Sequence, residues 1–377
     1  MKKISTLFLL TVFVGNGFAQ NDSLPISSIQ FRVQLVLPLF LDNETELKGA
    51  DAQWQKIAVS YYQGVLTALD SLERAGFKLQ LFIDDYKSDT NLIKEIMTRP
   101  DRQNMDLIIG PLYKNGFHVA ERFAAKNKIP ILSPFLTFQT QSTNEFSVAA
   151  NPTIESYGRE MARYINNHLD SVNILLVHDG SAMDKSFTKA FNKVYNTEKR
   201  NLLKDYTYAR ATHPAKGLMM TMYNWVIIPS KDEKTVNTVL YQLHDTIQDN
   251  PMSVVGVQPW LEFSNVNFKL WDTLDIHLLT PYYINYHDSI VHEFVMRFRE
   301  HYATDPDEYV FRGYDQFLVM MYMLRNHGKT FQSAVVGKEY PALHTRFRFN
   351  REAKNSGLEN GYLAILRYNE FRFHKLQ

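Results

Sequence analysis

The sequence predicts an α/β protein made of two lobes with parallel sheets that are joined by a hinge. The first observation is that short apolar strands alternate with helices along most of the chain, which is typical of parallel sheets with right-handed crossover connections. The second is a complete strand–helix–strand unit in residues 106–137. The third is a break in the alternation near residue 150 and another near residue 284, which divides the pattern into two halves.

The first half begins with an alternating apolar segment, residues 31–36, that predicts a strand. A wide apolar stripe then predicts a long helix over residues 51–75, and Gly76 is a natural helix-ending residue. A strand at 78–83 and a short helix at 91–98 continue the alternation. These elements start the first predicted lobe.

The strand–helix–strand unit follows. Its first strand, residues 107–109, stops at a Gly-Pro pair (110–111), a helix is predicted over 117–126, and the second strand, 129–132, stops at a Ser-Pro pair (133–134). In open α/β sheets, ligands bind beyond the carboxyl ends of the strands. The sequence therefore predicts a ligand site at the two loops that follow these strands.

A short predicted strand at 146–150 ends the first half, and the alternation then repeats. The predicted strands of the second half are residues 172–177, 203–208, 225–228, 253–257 and 277–283, and its predicted helices are residues 154–167, 183–195 and 234–245, with a short helix near Leu218. Two further predicted helices, at 290–302 and 309–325, follow the second half. In the tail, apolar and polar residues alternate at 345–349, 362–368 and 371–374, which predicts antiparallel strands.

The composition excludes several classes of protein. The chain has 377 residues, of which 45% are hydrophobic, so large cores are expected. Its 41 basic and 40 acidic residues nearly balance, so no global positive field would attract nucleic acid. The sequence contains no cysteine, so we expect no disulfide and no cysteine-linked lipid anchor.

The first residues have the features of a secretory signal peptide. Lys2 and Lys3 supply a positive start, residues 4–14 are apolar, and a small-residue cleavage site ends at Ala19. The apolar run is shorter than the roughly 20 residues that a membrane-spanning helix needs. We therefore expect residues 1–19 to be removed, leaving an exported, soluble, periplasmic protein with no stable membrane insertion.

Several motifs follow one another in the order and spacing of a known family. They are the acidic loop at 85–89, the strand and Gly-Pro pair at 107–111, the strand and Ser-Pro pair at 128–134, the aromatic helix at 294–302, and Gly313-Tyr314-Asp315 near the next helix start. On these residues the chain resembles the type I periplasmic binding protein family, which includes the substrate-binding components of branched-chain amino-acid ABC transporters. The resemblance implies two Rossmann-like lobes, which we place at residues 28–149 plus 284–340 and at 150–283 plus 341–377.

Three candidate ligand contacts, Leu112, Tyr113 and Lys114, follow the Gly-Pro pair. Backbone N–H groups in this turn lie near a helix start, where an anion is favoured, and Lys114 adds positive charge. In the amino-acid-binding relatives a hydroxyl residue here holds the ligand carboxylate, whereas this chain has Leu112 and Tyr113. The alternative is an ordinary strand-to-helix turn in which Tyr113 only packs.

The second loop supplies Ser133, Phe135 and Thr137. Thr137 matches a hydroxyl position of the family, and we expect it to contact the ligand. Ser133 is also a candidate contact, although capping of the backbone before Pro134 is its favoured role. Phe135 either stacks on a ligand or forms the floor of the cleft.

The second lobe carries three more candidate contacts. Asp179 follows a predicted strand and is placed to hold a ligand cation, although a strand-end aspartate more often caps a helix. Met183 lies where relatives often carry an aromatic residue. Trp260 lies in a turn after another strand, where a large aromatic ring suits a sugar or an apolar side chain; a buried anchor is the alternative. Tyr282 is expected to pack in the hinge.

The expected function is that of a solute-binding protein, which closes its lobes on a small polar ligand such as an amino acid or a related anion. It would act in ABC-type uptake or sensing, with a membrane permease as partner. The alternative is a non-transport envelope module of the same fold that acts on a cell-wall or membrane partner protein. The sequence lacks G-x-S-x-G, phosphate-loop and H-E-x-x-H signatures, so we expect neither an enzyme nor a cofactor or metal.

Overall fold

The computed structural model describes residues 30–42, 46–136, 142–195, 202–207 and 214–376. The predicted signal peptide, residues 1–19, and the candidate contact Thr137 lie outside these residues. Among the helices that the structure describes, none has both the length and the apolar character needed to cross a membrane.

The described residues form two sheets flanked by helices. The strands in chain order are β1 (Gln30–Leu37), β2 (Lys78–Asp85), β3 (Leu107–Ile109), β4 (Ile131–Ser133), β5 (Ser147–Ala149), β6 (Asn173–His178), β7 (Leu202–Thr207), β8 (Asn224–Ile227), β9 (Met252–Val257), β10 (Ile276–Thr280), β11 (Glu339–Pro341), β12 (Arg346–Asn350), β13 (Leu358–Asn360), β14 (Ala364–Asn369) and β15 (Arg372–Lys375). The helices are α1 (Gly49–Arg74), α2 (Thr90–Thr98), α3 (Lys114–Asn127), α4 (Ile154–His168), α5 (Ala182–Val194), α6 (Glu233–His244), α7 (Phe268–Thr273), α8 (Ser289–Tyr302) and α9 (Glu308–His327).

Each lobe is built on a sheet whose centre is parallel. The first sheet has the order β11-β12-β13-β5-β4-β3-β1-β2, and its strands run parallel from β13 to β2. The second has the order β15-β14-β10-β9-β8-β6-β7, and its strands run parallel from β10 to β7. The tail adds antiparallel strands at one edge of each sheet. The predicted fold class, two α/β lobes with parallel sheets, is therefore confirmed.

The tail is divided between the lobes, which differs from the prediction that residues 341–377 all join the second. Strand β13 pairs with β5 of the first sheet through Leu358 opposite Val148, and β12 pairs with β13. The side chains of Phe347 and Phe349 are buried in the core of the first lobe. Only β14 and β15 extend the second sheet, so the described chain passes between the lobes three times, at 150–153, 281–288 and 361–363.

A few predicted elements differ from the structure. The short helix near Leu218 is a single 3-10 turn at Pro214–Gly217, and the strand predicted at 277–283 ends at Thr280. Helix α7 was not predicted; it is anchored by the buried side chain of Trp271.

Two helices of the first lobe cross at very short range. A Cβ atom on Gly64 of α1 would lie 2.0 Å from the carbonyl oxygen of Val310 in α9, and one on Gly313 of α9 would lie 2.2 Å from that of Tyr61 in α1. Glycine at both positions lets the two backbones meet directly. The amino-terminal half of α9 is thereby fixed against α1, and this half carries Tyr309 and Arg312.

Polar contacts buried at the crossings hold the lobes together. The Glu359 carboxylate in β13 accepts hydrogen bonds from the Thr153 backbone N–H at 2.6 Å, from the Thr153 hydroxyl at 2.9 Å and from the Ser156 hydroxyl at 2.6 Å. The Tyr283 backbone N–H donates to the carbonyl oxygen of His344 at 2.7 Å. These bonds join the end of the first sheet to the start of α4 and the second crossing to the tail.

Candidate functional site

A buried arginine is the centre of the candidate site. Arg312, in the second turn of α9, is 7% exposed. Its guanidinium carbon lies 4.0 Å from the ring centroid of Tyr282, 5.3 Å from that of Tyr309 and 5.6 Å from that of Phe135. Facing aromatic rings stabilise a cation that burial would otherwise penalise.

Arg312 retains hydrogen-bonding capacity. One terminal nitrogen, Nη2, donates to the Glu308 carboxylate at 2.9 Å, and this carboxylate is half exposed. The Nε atom is buried and has no hydrogen-bond partner among the described residues. A buried, unpaired donor on a charged group is costly, and a ligand carboxylate would satisfy it.

Residues from both lobes surround this arginine. Phe135 and Tyr309 belong to the first lobe, Tyr282 lies on the second crossing, and Tyr157 comes from α4 of the second lobe. Burial raises the pKa of the Tyr157 phenol well above its ordinary value; the nearby Tyr282 adds to the rise and the charge of Arg312 opposes it. These phenols are therefore neutral near pH 7 and can donate or accept hydrogen bonds. We call Phe135, Tyr157, Tyr282, Tyr309 and Arg312 the inter-lobe aromatic site.

Two exposed carboxylates lie at the rim of the inter-lobe aromatic site. Glu308 starts α9, and Glu262 ends the 3-10 turn Gln258–Glu262 that follows β9 in the second lobe. Burial is the main cause of the raised pKa of the Tyr282 phenol, and the negative charges of Glu308 and Glu262 add to the rise. A buried cation, neutral phenols and rim carboxylates suit a small molecule with a carboxylate, an apolar body and, where present, an amine.

The loop after β3 does not offer the free donors that were predicted. The backbone N–H groups of Leu112 and Tyr113 both donate to the buried hydroxyl of Tyr86, at 3.2 Å each. The Leu112 side chain is fully buried in the core, so its prediction as a ligand contact is wrong for this conformation. The Tyr86 hydroxyl therefore occupies two of the backbone donors that an anion would use.

The other two residues of this loop remain accessible. Tyr113 is partly buried; its ring centroid lies 4.9 Å from that of Trp54, and its hydroxyl lies 3.4 Å from that of Ser88. Lys114 is exposed at the first position of α3. Their contact with a ligand stays a prediction.

The loop after β4 contributes one residue to the inter-lobe aromatic site. Phe135 packs edge-on against Tyr61 and Tyr309, and its carbonyl oxygen accepts a hydrogen bond from the Asn151 side chain at 2.6 Å. Ser133 is fully buried, and its hydroxyl has no hydrogen-bond partner within the described ranges, so the expected backbone cap is not formed. Phe135 therefore lies in the inter-lobe aromatic site, and its contact with a ligand stays a prediction. Ser133 is a buried hydroxyl.

Asp179 does not cap α5, which was its expected structural role. The cap of α5 is Ser181, whose hydroxyl accepts from the Asp184 backbone N–H at 3.2 Å. Asp179 instead accepts from the Ser181 backbone N–H at 2.7 Å, while its own N–H donates to the Asp184 carboxylate at 3.1 Å. Met183 lies partly buried between them in the first turn of α5. Ligand contact by Asp179 and Met183 stays a prediction.

Asp184 is a buried carboxyl group whose ionisation lowers the stability of the folded protein. Burial, together with the adjacent Asp179, raises its pKa to about 6. Because this value exceeds the ordinary one near 4, the folded protein holds an extra proton between about pH 4 and pH 6. Stability contributed by this group is present at low pH and is lost as the pH rises through about 6.

We expect Asp184→Asn, which mimics the protonated acid, to stabilise the protein by about 1 to 2 kcal/mol at pH 8 and to change little at pH 4. Urea unfolding of both proteins at pH 4, 6 and 8 measures this, with the exposed Asp249→Asn as control. A gain of equal size at pH 4 and pH 8 would contradict the assignment.

Trp260 is a structural anchor and not a ligand contact. Its side chain is fully buried, its indole N–H donates to the Ser230 carbonyl oxygen at 2.8 Å, and its ring packs on Trp271 at 6.2 Å between centroids. Gly256 makes room for it, since a Cβ there would lie 2.4 Å from the indole ring. The prediction of ligand contact is therefore wrong, and the alternative of a buried anchor is confirmed.

Sequence reasoning missed five residues around the site: Tyr157, Glu262, Glu308, Tyr309 and Arg312. One signal was available for Arg312. It lies among the apolar residues of α9, most of whose side chains are buried, and an arginine within such a helix must be paired or serve a ligand. Tyr309, one turn earlier on the same face, would then have been the first partner to consider.

Comparison with solved structures identifies the fold. Over 92% of its length the chain is similar to a protein assigned to branched-chain amino-acid ABC transport in Rhodospirillum rubrum, with 15% identity, all of that chain covered and a TM-score of 0.67. It is similar over the same share to an ABC transporter substrate-binding protein from Desulfitobacterium hafniense in complex with leucine, with 14% identity, 100% of that chain and a TM-score of 0.58.

A third similar structure is an ABC transporter solute-binding protein from R. palustris in complex with benzoate, with 15% identity, 92% of this chain, 95% of that chain and a TM-score of 0.50. No protein-family model and no curated protein sequence matches the chain. With the two sheets described above, these likenesses show that the chain has the type I periplasmic binding protein fold.

Proposed function

We propose that the chain is an extracytoplasmic solute-binding protein that closes its two lobes on a small polar ligand bearing a carboxylate. The observation that carries this proposal is the buried Arg312, whose Nε lacks a hydrogen-bond partner in the described residues and which aromatic rings from the first lobe and the second crossing surround. A carboxylate bound there would pair with a desolvated guanidinium, which is a strong interaction.

The solved structures support the same class of ligand. The Desulfitobacterium hafniense protein is in complex with leucine and the R. palustris protein with benzoate. Both ligands combine a carboxylate with an apolar body. An arginine among three aromatic rings is complementary to both parts of such a molecule.

The crossings supply the route for closure. Asn151 on the first crossing donates to Phe135 of the first lobe at 2.6 Å, and the Tyr282 hydroxyl on the second crossing lies 3.4 Å from the Asn151 side-chain oxygen. A ligand between Arg312 and Tyr157 would contact both lobes at once. It favours the closed form only through contacts that the open form lacks.

We also propose roles for the other candidate contacts and a cellular location for the protein. Ligand contact by Tyr113, Lys114, Asp179 and Met183 is part of this proposal, as is contact by Thr137, which lies outside the described residues. Ser133 is fully buried and is not included. We propose an exported, soluble protein in the periplasm that delivers its ligand to a membrane permease or to a sensor.

A paired ligand series tests the proposal. Thermal unfolding of the protein is followed with leucine and with benzoate, each beside the amide that lacks its carboxylate charge, leucinamide and benzamide. We expect a carboxylate to raise the unfolding midpoint and its amide to leave it nearly unchanged, because only the native state binds the ligand. Equal shifts by acid and amide, or none at millimolar carboxylate, would contradict a carboxylate site.

The second candidate function is that of an envelope module that binds another protein. Tyr86 favours it, because its hydroxyl satisfies two donors of the β3 loop that an anion would otherwise use. This function predicts capture of a membrane or cell-wall protein from envelope extracts and no stabilisation by the carboxylates above.

A further inference from the structure

A cavity of about 360 Å³ lies on the side of α8 and α9 where the tail packs, and we propose that it is a second ligand site, for a small amphiphilic carboxylate. Its walls come from α8 and α9, from the segment that joins β11 to β12, from the second and third crossings, and from β14 and β15. It shares no lining residue with the inter-lobe aromatic site. Its volume falls within the range of roughly 300 to 1,000 Å³ that is usual for small-molecule sites.

Two of the three positive charges at this cavity, those of Arg297 and Lys375, have no acidic partner among the described residues. The Nε atom of Arg297, in α8, is buried and has no hydrogen-bond partner in the part of the chain that the structure describes. The ammonium group of Lys375 lies 5.5 Å from the ring centroid of Tyr362. Arg346, the third cation, faces Glu339 at 3.4 Å.

The acidic residues of the lining are mostly committed to the fold. Asp288 caps α8 by accepting from the Ile290 backbone N–H at 2.8 Å. Asp315 accepts from the backbone N–H groups of Leu343 at 3.0 Å and His344 at 2.9 Å, and from the His344 ring. Glu293 is exposed. Two of the three lining carboxylates are thus held by hydrogen bonds within the fold, whereas Arg297 and Lys375 have no acidic partner among the described residues, and this difference favours an anion.

Three buried polar atoms without partners line this one cavity. Besides Arg297 Nε they are the hydroxyl of Tyr362 and Nε2 of His344, none of which has a partner within the described residues. The large majority of buried side-chain polar atoms in proteins are hydrogen-bonded, so three around one cavity indicate a missing partner. A carboxylate can accept from both the guanidinium and the phenol.

The rest of the wall is apolar. Val291, Phe294, Leu318 and Val319 line it from the helices, and Ala364 lines it from β14. An alkyl or aromatic body would bury its surface against these side chains, at about 25 cal/mol per Å². An anion with such a body fits the cavity better than a fully polar anion does.

Octanoate, with octanol as its neutral counterpart, is the probe for this site, and isothermal titration calorimetry is the measurement. We expect octanoate to bind the wild-type protein and octanol to bind much more weakly. Arg297→Gln should weaken octanoate binding about tenfold or more, since it removes a charged donor. Arg299→Gln, on the same helix and outside the cavity lining, should bind as the wild type does.

A second variant keeps the test valid if Arg297→Gln folds poorly. Tyr362→Phe removes a hydroxyl that has no partner among the described residues, so it should leave the unfolding midpoint without octanoate unchanged or higher. It should nevertheless weaken octanoate binding several-fold. If the Tyr362 hydroxyl had a purely structural role, its removal would lower the unfolding midpoint and leave octanoate binding unchanged.

Binding in the cavity can be distinguished from binding at the inter-lobe aromatic site. In Arg312→Gln, octanoate binding should persist. Its loss there with retention in Arg297→Gln would overturn the cavity proposal and place octanoate between the lobes. No binding to the wild-type protein at millimolar octanoate, equal binding of octanol, or equal losses in the Arg297 and Arg299 variants would also overturn it.

Discussion

Gly313→Ala is expected to lower the free energy of unfolding by about 3 kcal/mol, although alanine is the better helix former. A Cβ at this position would lie 2.2 Å from the carbonyl oxygen of Tyr61. The new Cβ and the Tyr61 oxygen are both fixed by helix backbone, so the clash is relieved only if α1 and α9 move apart. Helix propensity alone would stabilise the variant by about 1 kcal/mol, so the sign of the change identifies the cause.

The matched control for Gly313→Ala is Gly116→Ala in α3. Its Cβ would lie 2.7 Å from the tip of the Ile93 side chain, which can rotate away, and 3.3 Å from a Pro111 side-chain atom. We expect a loss below about 1 kcal/mol there. Chemical unfolding of both variants measures the difference. Similar values for the two would show that the helix crossing tolerates a methyl group.

Arg312→Met is expected to weaken binding of a carboxylate ligand about 100-fold while leaving the ligand-free protein as stable as the wild type or more so. Methionine keeps an apolar side chain of similar length among Phe135, Tyr282 and Tyr309. The Glu308 carboxylate that loses its partner is half exposed and is readily hydrated. Removal of a buried cation with one hydrogen-bonding partner therefore costs little without ligand.

Arg325→Met is the matched control for Arg312→Met, because Arg325 lies at the other end of α9 and also faces a ring, that of Phe77 at 4.5 Å. Calorimetric titration with the stabilising carboxylate and urea unfolding without it are the two measurements. If both variants bind the carboxylate as the wild type does, Arg312 serves stability alone. A large loss of stability in Arg312→Met would point the same way.

Local patterns were sufficient for most of the fold. The apolar stripe that predicted a helix over 51–75 corresponds to α1 (Gly49–Arg74), and Gly76 follows it with a φ of +81°. The short apolar runs at 107–109 and 129–132 correspond to β3 and β4, which pair in parallel. Each of these elements is encoded by residues next to one another in the chain, so the sequence alone specifies it.

Pairing between strands that are far apart in the chain could not be predicted in this way. The alternation in the tail predicted strands, but β13 joins the first sheet by pairing with β5, about two hundred residues earlier, and periodicity does not specify a partner. The candidate site shows the same limit. Phe135 was found because it follows a strand end, whereas Arg312 and Tyr157 lie on helices of different lobes and come near each other only through the tertiary fold.

The first described strand, β1, belongs to the first sheet, and the last, β15, belongs to the second. Leu41, just after β1, is 72% exposed, and Phe371, between β14 and β15, is 71% exposed. Since the chain contains no cysteine, Leu41→Cys and Phe371→Cys would introduce its only two thiols. A donor and an acceptor dye on those thiols would report the separation of the lobes as energy-transfer efficiency, molecule by molecule.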